Sequence, residues 1–423
     1  MYIYTVKAGD SLNEISRRFG IPISRIIADN ALRYPNNLVV GQHLIIMSDT
    51  VRHVIKEGQT LYSLSLEFEV PLDELLAANP DVNPFSLQIG DVINIPLAEE
   101  VERRPAIING YAYKNITDRA LECALPFLTF LSPFSYSLTP DGELAAPLDE
   151  RLIERAKESA VMPLMVVANI SEGTFSTEVL SQILASEDAR ERLISSIMTE
   201  LENKDYYGVN LDIEYISPDD KDAYNDFLRE LSERLHNENY ILITSVAPKY
   251  SADQQGILYE SHDYKVQGEV ADYVIIMTYE WGFTYSSPMS VQPIEEVRKV
   301  LEYAITEIPS EKIIMGMPNY GYNWNLPYTR GTAATSIGLS AALDTAIKHN
   351  SEILYDEKTQ TPYYYYTENG KGHVVWFDDA KSIDAKLRLV DEFNLAGASY
   401  WTINRCFIPN WEIAANLFDI IKL

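Results

Sequence analysis

An α/β chain is what these 423 residues predict: a (β/α)8 TIM barrel with a small insertion between its seventh and eighth strands, preceded by two small strand-helix-helix-strand modules. Three observations carry the expectation. Eight short apolar runs alternate with helical patterns between residues 105 and 423, the first hundred residues repeat at an offset of 49 without a gap, and a charged stretch, AEEVERR, separates the two regions. Alternating strands and helices of that extent suit a parallel barrel, whose usual size is ~250 residues before insertions. A gapless internal repeat at fixed period is a duplication.

The duplication is read by setting YTVKAGDSLNEISRRFGIPISRIIADN beside HVIKEGQTLYSLSLEFEVPLDELLAAN. Gly9 pairs with Gly58, Leu12 with Leu61, Phe19 with Phe68, Pro22 with Pro71, Asn30 with Asn79 and Gly41 with Gly90. Each copy opens on a short strand and a turn glycine. Ser11 or Thr60 can then cap a helix whose apolar positions, Leu12, Ile15 and Phe19 or Leu61, Leu64 and Phe68, share one face. A second helix follows the proline, and VGQHLIIM or IGDVINIP supplies the closing strand. The expected divisions are residues 1–48 and 51–97 for the modules, 98–104 for the linker and 105–423 for the barrel.

The barrel runs are AIINGYAY, PFLTFLSPFSY, PLMVVANI, YGVNLDIEYI, YILITSVAPK, DYVIIMTYEWG, KIIMGMPNYG and GASYWTINR. Between the fourth and fifth, Ser217 is placed to cap a helix with Pro218 in its first turn and Tyr224, Phe227, Leu228, Leu231 and Leu235 in one stripe. Residues 322–395 leave room for a helix at 379–394 and an insertion holding the tyrosine run 363–366, expected to serve strand packing before sugar contact. In the fourth run, Asn210, Asp212 and Glu214 alternate with Val, Leu and Ile, so strand geometry puts the three polar groups on one face. Catalytic groups of such barrels sit at the carboxyl ends of strands, where Glu214, Tyr279 and Trp401 fall.

Composition excludes several functions. With 34 basic and 62 acidic residues the net charge is -28, which repels nucleic acid and anionic membrane surfaces. No apolar stretch reaches the ~20 residues of a membrane span, and the start MYIYTVKAGD carries no secretory signal pattern. The only cysteines, Cys123 and Cys406, are expected to be small buried hydrophobes. With six scattered histidines they give no metal site.

The repeated units resemble LysM modules, which bind chains of N-acetylglucosamine. That resemblance implies glycan contacts from Gly9, Asp10, Ser11, Asn30 and Leu32 in the first copy, and from Gly58, Gln59, Thr60, Asn79 and Pro80 in the second. Turn and cap duty is the alternative at these positions. The fourth run resembles the strand-four signature of family 18 glycoside hydrolases, an acidic pattern ending Asp-x-Asp-x-Glu. Met277-Thr278-Tyr279 resembles that family's Met-x-Tyr, and Trp401 its aromatic floor. Tyr207 and Asn210 stand where many chitinases carry aspartates, so Asp212 is expected to stay ionised over a broader acidic range. Glu280 replaces a common aspartate.

The resemblance implies retaining, substrate-assisted cleavage. Glu214 would be the acid and base, Asp212 the partner of the substrate acetamido N–H, and Tyr279 the donor to its oxygen. Asn210, Met277, Glu280, Trp401, Tyr111 and Tyr320 would bind substrate. No metal and no cofactor are implied. Paired LysM units before such a barrel are similar to the spore cortex-lytic N-acetylglucosaminidases. The expected partner is therefore peptidoglycan, the expected place the spore at the coat and cortex boundary, and the expected state a monomer. Chitin oligomers as substrate, or an inactive wall-binding lectin, are the alternatives.

Overall fold

The computed structural model describes residues 1–48, 50–68, 70–96 and 103–422. Most of the expected linker lies outside the described residues, and the first barrel strand, Arg104–Tyr113, takes up its last position. In the first module, strands Tyr2–Thr5 and His43–Ile46 pair antiparallel around helices Leu12–Phe19 and Ile23–Asp29. Ser11 and Glu14 form a reciprocal capping box at the first helix. The second module repeats this with strands Thr50–Val54 and Val92–Pro96 and helices Leu61–Phe68 and Leu72–Ala77.

The two modules share one apolar core, in which Phe19 and Phe68 meet edge to face with ring centroids 6.2 Å apart. The first module is also docked on the barrel. Ile353 donates its backbone N–H to Val40 O at 2.9 Å. Gly41 lies so close that a Cβ there would fall 1.9 Å from the Ile353 carbonyl oxygen. His43 Nδ1 lies 2.5 Å from Asp379 Oδ2, with both side chains buried, and Arg33 pairs with Asp344 at 2.8 Å. Val39 and Ile45 join the barrel's own apolar cluster.

The barrel closes through eight parallel strands in chain order: Arg104–Tyr113, Phe130–Phe134, Met162–Ala168, Gly208–Asp212, Ile241–Val246, Tyr273–Ile276, Ile313–Pro318 and Gly397–Trp401. The eighth pairs with the first, and a short strand, Phe418–Ile420, adds to the start of the first. Ile107, Phe130, Leu164, Val166, Ile243, Ile275 and Ile314 fill the interior. Val209 and Leu211 face outward in the layer that holds Phe227, Leu228 and Leu231 of helix Lys221–Asn237.

Ser217 does not cap that helix: a 3-10 turn, Pro218–Asp220, intervenes and lets the chain enter without a side-chain cap. The helix before the eighth strand is Ala380–Glu392, capped by Asp379. The insertion is a five-stranded antiparallel sheet with one helix, Leu339–Lys348. Its tyrosine run packs as a strand: Tyr364 is fully buried, while Tyr363 stacks on Trp376 and Tyr366 on His373.

The cysteines depart from expectation. Cys123 and Cys406 form a disulfide across 283 residues. Their separation gave no local spacing to read; only barrel closure brings the loop after the eighth strand against the helix after the first.

The docking of the first module depends on a buried pair. His43→Ala leaves the Asp379 carboxylate without its ring partner, so stability falls by on the order of 2 kcal/mol. Scanning calorimetry would register this as a Tm several degrees lower. An unchanged Tm would mean that apolar contact and the Ile353 hydrogen bond hold the module unaided.

Candidate active site

The fourth strand ends at Asp212, and Glu214 stands two residues beyond it. Asn169, at the carboxyl end of the third strand, clamps that extension. Its Oδ1 accepts from Glu214 N–H at 3.0 Å, and its Nδ2 donates to Glu214 O at 2.8 Å. From the other side, His262 accepts from Ala247 N–H on Nδ1 at 2.9 Å, leaving Nε2–H to donate to Ile213 O at 2.9 Å. Burial holds this ring neutral, with its pKa pushed down to about 4. The residues after the acid and after Tyr279 are both left-handed without being glycine: Tyr215 has φ 54° and Glu280 φ 71°. Such geometry costs about 1–3 kcal/mol and persists only where its surroundings fix it.

Asp212 and Glu214 open into a cavity of about 710 Å³ lined also by Tyr111, Tyr113, Phe134, Phe175, Tyr215, Met277, Tyr279, Glu280, Phe283 and Trp401. Trp401 is held edge to face by Phe134, Tyr111 and Tyr113, with centroids 4.9, 5.2 and 5.8 Å away. Tyr279 has its place because residue 316 is glycine: a Cβ there would lie 2.8 Å from the tyrosine ring. Gln292 secures the same corner by donating from Nε2 to Thr278 O and Gly316 O, both at 2.7 Å.

The electrostatics are those of carboxylates removed from water. Burial lifts Asp212 to about 7, and its Oδ1 is buried without a hydrogen-bond partner. Glu214 is pushed up to about 8, first by burial and then by the charges of Asp212 and Glu280. Glu280 is also raised by burial, although the Tyr320 and Tyr322 hydroxyls donate to it and pull it back. Tyr279 is raised well above the phenol range by burial, so its hydroxyl remains a donor. The site therefore offers a protonated carboxyl, an acceptor oxygen without a donor and a flat aromatic floor.

Several expectations need correction. Asp212 is not held ionised into acid. The residues beneath it form a neutral network, in which Asn210 Nδ2 donates to Tyr111 Oη at 2.8 Å, Ser245 Oγ donates to Asn210 Oδ1 at 3.2 Å and Ser132 Oγ donates to Asn109 Oδ1 at 2.8 Å. That network supplies no positive charge, so desolvation decides. Asn210 itself is fully buried below the cavity floor and does not line it, whereas Tyr320 donates to Glu280 and lines an adjoining pocket on the far side of that residue.

In the modules, Asn30 spends its side chain on Ile26 O, Ile45 O and Ile45 N–H. Asn79 does the same with Leu75 and Asn94. Both side chains and that of Leu32 are buried, so they serve the fold of the modules. Asp10 accepts from Tyr4 and Lys7, and Gln59 from Lys56, as turn residues do. Gly9 and Gly58 carry φ 89° and 80° in those turns, Thr60 accepts from Ser63 N–H, and Pro80 is exposed.

With this geometry in view, the chain can be set beside known proteins. Residues 144–405 match the model of glycosyl hydrolases family 18, and residues 4–46 and 53–96 match the LysM domain. The chain belongs to glycosyl hydrolase family 18. Within the family it is 40% identical over 431 residues to the cortical fragment-lytic enzyme of Bacillus subtilis (strain 168), covering 100% of this chain and 99% of that one. The cortical fragment-lytic enzyme of Bacillus anthracis is 38% identical and covers 99% of each chain. The crystal structure of the spore cortex-lytic enzyme SleL from Bacillus megaterium QM B1551 superposes with a TM-score of 0.88 at 38% identity, covering 100% of this chain and 99% of that one.

Asn169 and His262 escaped the sequence reading, yet Asn169 carried a signal. It is the one polar residue of the apolar run PLMVVANI and stands near its end, as Glu214 stands near the end of its own run. His262 carried none, since it lies in a loop remote in sequence from the strand it braces.

Glu214→Gln tests the desolvation of the acid. Its raised folded pKa means that wild type loses stability as pH climbs from the unfolded value near 4.5 towards 8, because only the unfolded chain ionises freely there. The glutamine variant escapes this loss. Its Tm should match wild type near pH 4 and exceed it at pH 8, by an amount worth on the order of 2 kcal/mol. A gap independent of pH would contradict the raised pKa.

Proposed function

We propose that the chain is a retaining, substrate-assisted N-acetylglucosaminidase that cuts peptidoglycan after N-acetylglucosamine, in spore cortex or in fragments of it. The observation that carries this is that Glu214 and Asp212 open together into one cavity with Tyr279 and Trp401, where burial raises the pKa of Glu214 and the buried Asp212 Oδ1 has no donor. Membership of a family known for substrate-assisted cleavage supports the assignment of steps. The names of its relatives, cortical fragment-lytic and spore cortex-lytic enzymes, support the substrate.

In this reading the sugar ring lies over Trp401, and its acetamido N–H satisfies Asp212 Oδ1. Tyr279 donates to the acetamido oxygen and aims it at the anomeric carbon. Glu214 gives its proton to the leaving oxygen as that bond breaks, and the acetamido oxygen closes an oxazolinium ring whose positive charge the Asp212 carboxylate balances. Glu214, now a carboxylate, takes a proton from the water that reopens the ring from the same face, so configuration is retained. Met277 and Glu280 line the pocket around the acetamido group.

The modules keep the enzyme on its polymer through the backbone of the turns at Gly9 to Ser11 and Gly58 to Thr60, with Pro80 beside the second. The protein works as a monomer at the boundary of spore coat and cortex.

The test incubates wild type and Glu214→Gln with cortex-type peptidoglycan and reduces the products with borohydride. New glucosaminitol ends from wild type alone, with the variant at least a hundredfold slower, are expected. New muramitol ends would overturn the bond assignment. Activity confined to chitin oligomers would overturn the substrate, and binding without any new ends would indicate a lectin.

A further inference from the structure

Beyond Trp401 the cavity continues into a second pocket of about 340 Å³, which shares Tyr113, Glu280 and Trp401 with the first but not Asp212 or Glu214. Its far wall is made of different chemistry. Arg405 and Asn404, from the loop after the eighth strand, stand with Asn115 and Ser336. Asn404 accepts from Tyr113 N–H on Oδ1 at 2.9 Å and donates from Nδ2 to Asn115 Oδ1 at 3.4 Å, so the two amides are joined along this wall. Arg405 donates to Ser336 Oγ at 3.2 Å, and among the described residues no carboxylate lies in ion-pair range of it, in a chain with 62 acidic residues. The arginine's stem has been given room: a Cβ at Gly338 would meet Arg405 Cδ at 2.8 Å. A donor-rich wall therefore faces an acid-rich one across Trp401.

Direction along a bound glycan follows from the acid. Glu214 protonates the leaving oxygen, so the reducing side of the scissile bond lies with Glu214, Tyr215 and Phe283. The pocket on the opposite side of Trp401 takes the sugar on the non-reducing side of the glucosaminyl residue. In peptidoglycan that sugar is a muramyl residue, whose mark is an acyl group on its 3-O-lactyl ether. We infer that Arg405, with Asn404 and Asn115, reads the lactyl carbonyl group of this muramyl residue and makes the pocket a specificity site. The inference rests on the N-acetylglucosaminidase reading above. Guanidinium and amide donors suit such an oxygen, whether it belongs to a free carboxylate, a peptide-substituted amide or an internal lactam.

The test compares kcat/KM for wild type, Arg405→Ala and Arg405→Lys on three glycans of equal length: fragments with lactam, fragments with an open lactyl group, and oligomers of N-acetylglucosamine alone. For Arg405→Ala the ratio of muramyl to glucosamine-only kcat/KM should fall about tenfold, through KM, the effect of one lost charge-assisted hydrogen bond. Arg405→Lys should recover part of it. A fall with the lactam fragments alone assigns the lactam carbonyl, and a fall with the open fragments alone assigns the carboxylate or amide. An equal fall on all three glycans, or none, overturns the inference.

If wild type yields no glucosaminitol ends from either fragment, it is the reading of the cleaved bond that fails. Titration calorimetry then still decides the role of Arg405, using Glu214→Gln with and without Arg405→Ala. Weaker fragment binding by the double variant, with no change for the glucosamine oligomer, supports it. Equal or absent binding overturns it.

Discussion

Two carboxyl groups two residues apart, both withdrawn from water, are the constraint around which the barrel is organised. Alternation along the fourth strand puts Asn210 and Asp212 inside and Val209 and Leu211 outside, so the outer helices hold the strand by its apolar face. The inward face then has to be made tolerable for charge, and it is not fully so. Asn210, Ser132, Ser245 and Tyr111 satisfy one another and give Asp212 Oδ1 no donor. That missing hydrogen bond and the raised affinity of Glu214 for its proton have one origin, the exclusion of solvent. A substrate amide that supplied the donor would favour the ionised form of Asp212 at the moment it is needed.

Support for this arrangement comes from outside the fourth strand. Asn169 fixes the backbone of the acid in both directions, His262 braces the residue before it, and Gly316 leaves the space that Tyr279 occupies. The left-handed residues Tyr215 and Glu280 are the local cost of aiming those side chains into the cavity. The first LysM module is integrated in the same manner. Where the second module exposes Val92, the first has His43 buried against Asp379, and Gly41 fits flush against Ile353.

What the sequence disclosed follows from range. Strand periodicity, the duplication and the polar residues that end apolar runs are local signals. They located the barrel, both modules, Asp212, Glu214, Tyr279 and Trp401. The partners of buried polar groups are not local. Asn30 and Asn79 read equally well as glycan contacts and as turn or cap residues, and only the structure shows their side chains buried as clamps between helix and strand. Asp212 misled for a related reason: its titration depends on the donors it lacks, and residue type does not reveal an absence.

The disulfide between Cys123 and Cys406 has a topological consequence. It joins the helix after the first barrel strand to the loop after the eighth, so seven complete barrel strands and the whole insertion lie within one covalent ring. A protease that severs any single loop inside that ring, including the loops around the cavity, leaves two chains that cannot part. The nicked molecule keeps its neighbours at high effective concentration, and the two halves separate only once the sulfur bridge is reduced.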